Sequence, residues 1–104
     1  MVDVAAIDSG VLTIAAARAF LRVSGSADAQ VLDLIPAAQG RIESFLGREL
    51  VGAAGWSTVE QVPAMVVHCV KLALSDFFVN REAPQLTDDQ LRPMIGRYMA
   101  QSVG

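Results

Sequence analysis

The sequence predicts an all-α fold, a small bundle of about four helices, and three observations carry that expectation. Apolar residues recur at helical spacing along the chain, most clearly from Val62 to Glu82, VPAMVVHCVKLALSDFFVNRE. Capping residues and breakers divide the rest into helix-sized pieces. The alternation expected of an all-β domain is missing. With 104 residues the chain forms one domain with a modest core, and its 53% apolar content excludes disorder over most of its length. Much of that fraction is alanine, which favours close helix packing over a bulky core.

The helices are expected at about 13–22, 27–47, 62–81 and 87–100. Thr13 is suited to cap the first, with Ala16, Ala17, Phe20 and Leu21 as its buried edge, and Ser24-Gly25-Ser26 ends it. Ser26 or Asp28 opens the second, where Val31, Ile35, Ala38, Ile42 and Phe45 make a sustained one-face stripe. Pro36 inside that stripe removes a backbone donor, so a kink or restart is expected there. Gly40 softens the same region or admits a close neighbour.

Gly47 to Gln61 is the least regular part, a long irregular loop between helices 2 and 3. Trp56, the only tryptophan, either anchors this loop to the core or is carried outward to meet a partner. In the third helix Val62, Val66, Cys69, Val70, Ala73 and Phe77 form the main stripe. Met65, Leu72, Leu74, Phe78 and Val79 extend apolar surface around most of the circumference, leaving His68, Lys71 and Ser75 as a polar seam. A helix apolar nearly all round needs cover on most sides, and a second copy of the chain could supply part of it. Pro63 suits the first turn. Beyond the Glu82-Ala83-Pro84 break, Thr87 and Gln90 are spaced as a capping box, and Asp88 and Asp89 suit the positive end of the helix dipole. Leu91, Ile95, Tyr98 and Met99 give the fourth helix its apolar edge, Pro93 bends it or resets its first turn, and 101–104 fray.

The formal charge is -3, from eight Lys plus Arg against eleven Asp plus Glu, which weighs against a dedicated nucleic-acid binder. The charges are scattered and no run of 18 apolar residues occurs, so neither a surface-bound helix nor a membrane span is expected. MVDVAAIDSG lacks the basic start of a signal peptide, which implies synthesis inside the cell.

No catalytic, cofactor or metal site is expected. His68 and Cys69 are adjacent, so on a helix they diverge by about 100° and make a poor thiolate–imidazole pair. No second histidine or cysteine exists to build a zinc site. Asp76, within an apolar helix, calls for a partner, with Arg81 or an arginine from elsewhere as the candidate. Arg81 suits the C-terminal end of its helix and Glu82 does not, so capping and an inter-subunit salt bridge both remain open.

Four stretches resemble one family. The aromatic-rich third helix closes in Asn80-Arg81-Glu82, TIAAARAFLRV runs from Thr13 to Val23, IESFLGREL contains Gly47, Arg48 and Leu50 as a Gly-Arg-x-Leu signature, and LTDDQLRPMIGRYM closes the chain. In order and spacing they resemble the head–tail connector (adaptor) proteins of tailed bacteriophages and of phage-like gene transfer particles. Pro36, Pro93 and a short fourth helix depart from the common pattern, so a long portal-penetrating tail is absent or truncated. The resemblance implies a structural virion protein made in the bacterial cytoplasm and ending at the head–tail interface. It would form a homo-oligomeric ring, a dodecamer in the particle, beneath the portal protein. That ring would extend the DNA channel, present a platform for the stopper or tail-completion protein, and pass DNA without sequence-specific binding. Arg48, Trp56, Arg81, Glu82, Arg92, Arg97 and Tyr98 are the candidate subunit or portal contacts. The alternatives are a small helical regulatory or DNA-binding module, with 13–47 as its helix-turn-helix, and an enzyme accessory subunit that borrows its site from a partner.

Overall fold

The computed structural model describes residues 11–53 and 55–99. Among them are four α-helices, α1 (Ile14–Leu21), α2 (Asp28–Leu46), α3 (Ala64–Val79) and α4 (Asp88–Ile95). Three short 3-10 turns lie at Gly25–Ala27, Val59–Gln61 and Gly96–Tyr98. The described residues contain no strand, only an isolated parallel bridge between Val51 and Trp56. The fold is all-α, as the apolar spacing predicts.

Thr13 caps α1 by accepting the Ala16 amide at 3.1 Å. The helix closes on Arg22 in the left-handed region (φ 59°), and the Val23 amide returns to the Arg18 carbonyl. Ala17 is fully buried, with Ala16 and Leu21 packed beside it. Small side chains therefore seat α1 closely against its neighbours.

The predicted stripe on α2 is buried in full: Val31, Ile35, Ala38, Ile42 and Phe45, joined by Leu46. Of the kink or restart expected at Pro36, the restart does not occur: α2 runs through the proline as one helix. The proline ring lies on the exposed side, where water can take the carbonyl freed on Leu32. Gly47 (φ 72°) ends the helix, and its amide and that of Arg48 both return to the Glu43 carbonyl.

The α2–α3 pairing is the largest contact between elements. Helix α3 buries Val66, Cys69, Val70, Ala73 and Leu74. It is shorter than the 62–81 expected: Pro63 stands outside it as N-cap with extended ψ of 143°, and Asn80 ends it. Cover is also less complete than its composition calls for. Helices α1, α2 and α4 all touch it, yet Met65 stays 44% and Val79 71% exposed.

The long loop after α2 is folded tightly against the body. Leu50 is fully buried, and its amide is accepted by the Glu43 carboxylate at 2.9 Å. The Trp56 amide donates to the Leu50 carbonyl and the Gly52 amide to that of Trp56, closing a small knot around the bridge. A Cβ at Gly55 would collide with the Glu49 and Leu50 carbonyl oxygens, so this glycine is required by close backbone approach.

Helix α4 opens on the predicted capping box, Thr87 and Gln90 each accepting the other's amide. It ends at Ile95 rather than near residue 100, the chain tightening into the Gly96–Tyr98 turn beyond Pro93. Leu91 and Ile95 are fully buried; Met94 and Tyr98 pack against the core, whereas Met99 is 39% exposed instead of forming part of the edge. The stretches read as a leader-free start (1–10) and a fraying end (101–104) lie outside the described residues.

Two glycines should respond oppositely to alanine. Gly40 lies on the exposed side of α2 with open space where a Cβ would stand. Gly40→Ala is expected to stabilise by about 0.5–1 kcal/mol, which raises Tm by several degrees. Gly55→Ala should destabilise by about 1–3 kcal/mol through forced backbone displacement. Thermal unfolding followed by circular dichroism checks both.

Candidate functional site

The turn at Gly47 sends the chain back along the end of α2 and places Arg48 over Trp56, with the guanidinium carbon 4.3 Å from the ring centroid. Trp56 is held there by its bridge to Val51 and its hydrogen bonds to the Leu50 and Gly52 backbone. The tryptophan therefore anchors the loop to the core, with part of its surface still exposed. Its ring meets Tyr98 edge to face at 5.8 Å and 71°. Tyr98 comes from the 3-10 turn after α4, and the Arg97 guanidinium lies 5.5 Å from its ring. Arg92 does not join them: it lies 6.0 Å from the Phe45 ring and pairs with Asp89 at 3.1 Å. Arg48, Trp56, Arg97 and Tyr98 thus gather from three chain segments into one arginine–aromatic cluster.

The two arginines of the cluster have no acidic partner among the described residues: neither Arg48 nor Arg97 has a carboxylate within ion-pair distance, whereas Arg18, Arg41 and Arg92 do. The Arg48 Nε is buried beneath its stack and has no hydrogen-bond acceptor. Such an arrangement can receive planar anionic groups, because stacking on an aromatic face leaves the in-plane N–H donors of a guanidinium available for hydrogen bonding.

Arg81 and Glu82 do not join this cluster. They lie on the loop after α3 and, with Val79, Asn80, Ala83 and Gln85, line an open depression of about 400 Å³. Nor does Arg81 pair with Asp76. The Asp76 carboxylate instead accepts the backbone amides of Gln85 (2.9 Å) and Leu86 (2.8 Å) and the Asn80 side-chain amide (3.0 Å). Partial burial pushes this carboxyl up; the Gln85 and Leu86 amides, the Asn80 amide and the nearby Arg41 charge outweigh it and hold it below its ordinary value. Arg41 completes the joint by donating to the Leu86 carbonyl and to Asp88 at 2.7 Å. This joint fixes the entry of α4, and hence Tyr98 at its far end. The only signal for it in the sequence was an isolated acid one turn before the helix end.

His68 and Cys69 face different surroundings. His68 is exposed, its ring 6.3 Å from Phe20, while Cys69 is fully buried and burial pushes its thiol pKa up. Among the described residues, no group of three or more His, Cys, Asp or Glu could hold a metal ion, and no helix is long and apolar enough to cross a membrane. No family model, no curated protein and no solved structure matches this chain.

Loss of the Asp76 carboxylate should cost about 1.5–3 kcal/mol, the range for hydrogen bonds to a charged group. Its lowered pKa sets the sign of the pH dependence. The contribution is complete above the ordinary value of 3.8 and disappears as pH falls through the lower folded value. Urea unfolding of the wild type and Asp76→Ala at a series of pH values should show a gap that is wide at pH 7 and narrows in acid. A gap independent of pH would show that the carboxylate charge contributes nothing.

Proposed function

We propose that this chain is a head–tail connector of a tailed-phage-type particle, acting by binding and assembly rather than by turnover. The observation that carries the reading is the convergence of its resemblance motifs. Arg48 of the Gly-Arg-x-Leu signature and the Arg97–Tyr98 pair of the last motif lie far apart in sequence and share one half-exposed cluster around Trp56. Tryptophan, tyrosine and arginine are the residue types that most often dominate the energetics of a protein interface. The exposed Met65 and Val79 on α3 offer further apolar surface for a neighbouring copy.

On this reading the subunits associate head to tail, each offering one face to a different face of the next, and the rotation closes into a ring. The dodecamer sits beneath the portal, with the stopper or tail-completion protein on its other side. A net charge of -3 suits a channel wall that lets DNA pass without gripping it. Arg81, Glu82 and Arg92 remain contact candidates on surfaces outside the Trp56 cluster.

Light scattering over a concentration series, with the same samples imaged by negative-stain electron microscopy, tests the proposal. The expected result is a ring with a hole wide enough for duplex DNA, formed either by the chain alone or on addition of a portal ring. A compact dimer that ignores the portal and shifts on duplex DNA in a salt-dependent way would replace this reading with a regulatory DNA-binding module.

A further inference from the structure

We infer that the Arg48–Trp56–Arg97–Tyr98 cluster is a docking surface for a carboxylate-bearing segment of a partner protein. The inference rests on the cluster being an interface but not on the ring, and it names the chemistry of what the surface receives. Among the described residues, the Arg48 guanidinium is stacked 4.3 Å from the Trp56 centroid, with Nε buried and no acceptor or carboxylate in reach. Desolvated polar groups are normally satisfied. The buried Nε is out of a partner's reach. The terminal guanidinium nitrogens of half-buried Arg48 also have no hydrogen bond or carboxylate among the described residues, and they remain the donors for an incoming acceptor. Arg97 beside Tyr98 adds a second cation without a carboxylate partner.

Two features favour a protein carboxylate over nucleic-acid phosphate. The Trp56 and Tyr98 rings meet each other and each carries one of the two guanidiniums, so apolar surface lies between the cations. The chain as a whole carries -3. A duplex, charged along its whole length, is repelled by that net charge more than a short segment that intersperses carboxylates with apolar residues. The planar guanidinium fork matches a carboxylate in two-point contact, and the tryptophan and tyrosine rings accept the apolar neighbour.

Trp56 is the only tryptophan, so its fluorescence reports on this patch alone. The experiment titrates the full chain, at low ionic strength and at a concentration where light scattering gives a monomer, with the blocked peptide acetyl-EELEEL-amide. Its isosteric control, acetyl-QQLQQL-amide, and a short DNA duplex serve as competitors. A saturable change is expected with the glutamate peptide and none with the glutamine one. Arg48→Gln and Arg97→Gln should each weaken binding roughly tenfold, and Arg48→Lys should fall between, keeping the charge and losing the fork. Arg22→Gln, at the end of α1, should bind as the wild type does. Circular dichroism establishes that each variant is folded, and Arg48→Lys carries the test if Arg48→Gln is not.

Absence of a saturable response, equal binding of the glutamine peptide, or unchanged binding by folded Arg97→Gln and Arg48→Lys would each overturn the inference. Tighter binding of the duplex than of the peptide would overturn it in favour of a phosphate surface. A ring without a peptide response removes this inference and leaves the connector reading. A peptide response without any ring does the reverse.

Discussion

The seam between α2 and α3 is the constraint on which the rest of the structure depends. One face of α2, from Val31 to Phe45, and one face of α3, from Val66 to Leu74, enter the same core with almost no exposed area. Each fully buried aliphatic side chain there contributes on the order of 1.5–3 kcal/mol relative to exposure. Alanines at 38 and 73 alternate with larger neighbours, which lets the helices approach closely. Helices α1 and α4 are short, and each keeps its place by contact with this pair. An isolated eight-residue helix would be marginal in water.

Apolar burial leaves the loops undetermined, and two carboxylates position them. Glu43, on the last turns of α2, accepts the Leu50 amide and the Gln39 side chain, and Gln39 in turn accepts the Val11 amide. Asp76, near the end of α3, does the same for Gln85 and Leu86. Each acid satisfies loop amides that would otherwise lack partners beside the core. The first arrangement sets the turn that carries Arg48 and Trp56. The second, with Arg41 and Asp88, sets the entry of α4. The cluster at Trp56 is therefore the sum of two loop placements made at different points of the fold.

This organisation bears on how the connector reading would operate. Trp56 is fixed by backbone hydrogen bonds and a neighbouring ring, so a partner meets a preformed surface instead of ordering a mobile loop. Preorganisation of that kind lowers the entropic cost of association. The depression beside Arg81 and Glu82 is built differently, from a loop tethered mainly through Asp76. A surface of that sort suits adjustment on contact more than rigid recognition.

The sequence by itself determined the all-α class, the α2 stripe residue by residue, the Thr13 cap and the Thr87–Gln90 capping box. These depend on local spacing and on hydrogen bonds within a turn or two, which the chain order states directly. It also singled out Arg48, Trp56, Arg97 and Tyr98 individually. Only the tertiary structure decided that these four meet, that Asp76 binds backbone amides instead of Arg81, and that Pro36 leaves α2 unbroken. Each of those outcomes turns on which side of an element faces solvent or a distant loop. The packing of α2 against α3 sets that, and no short stretch of sequence records it.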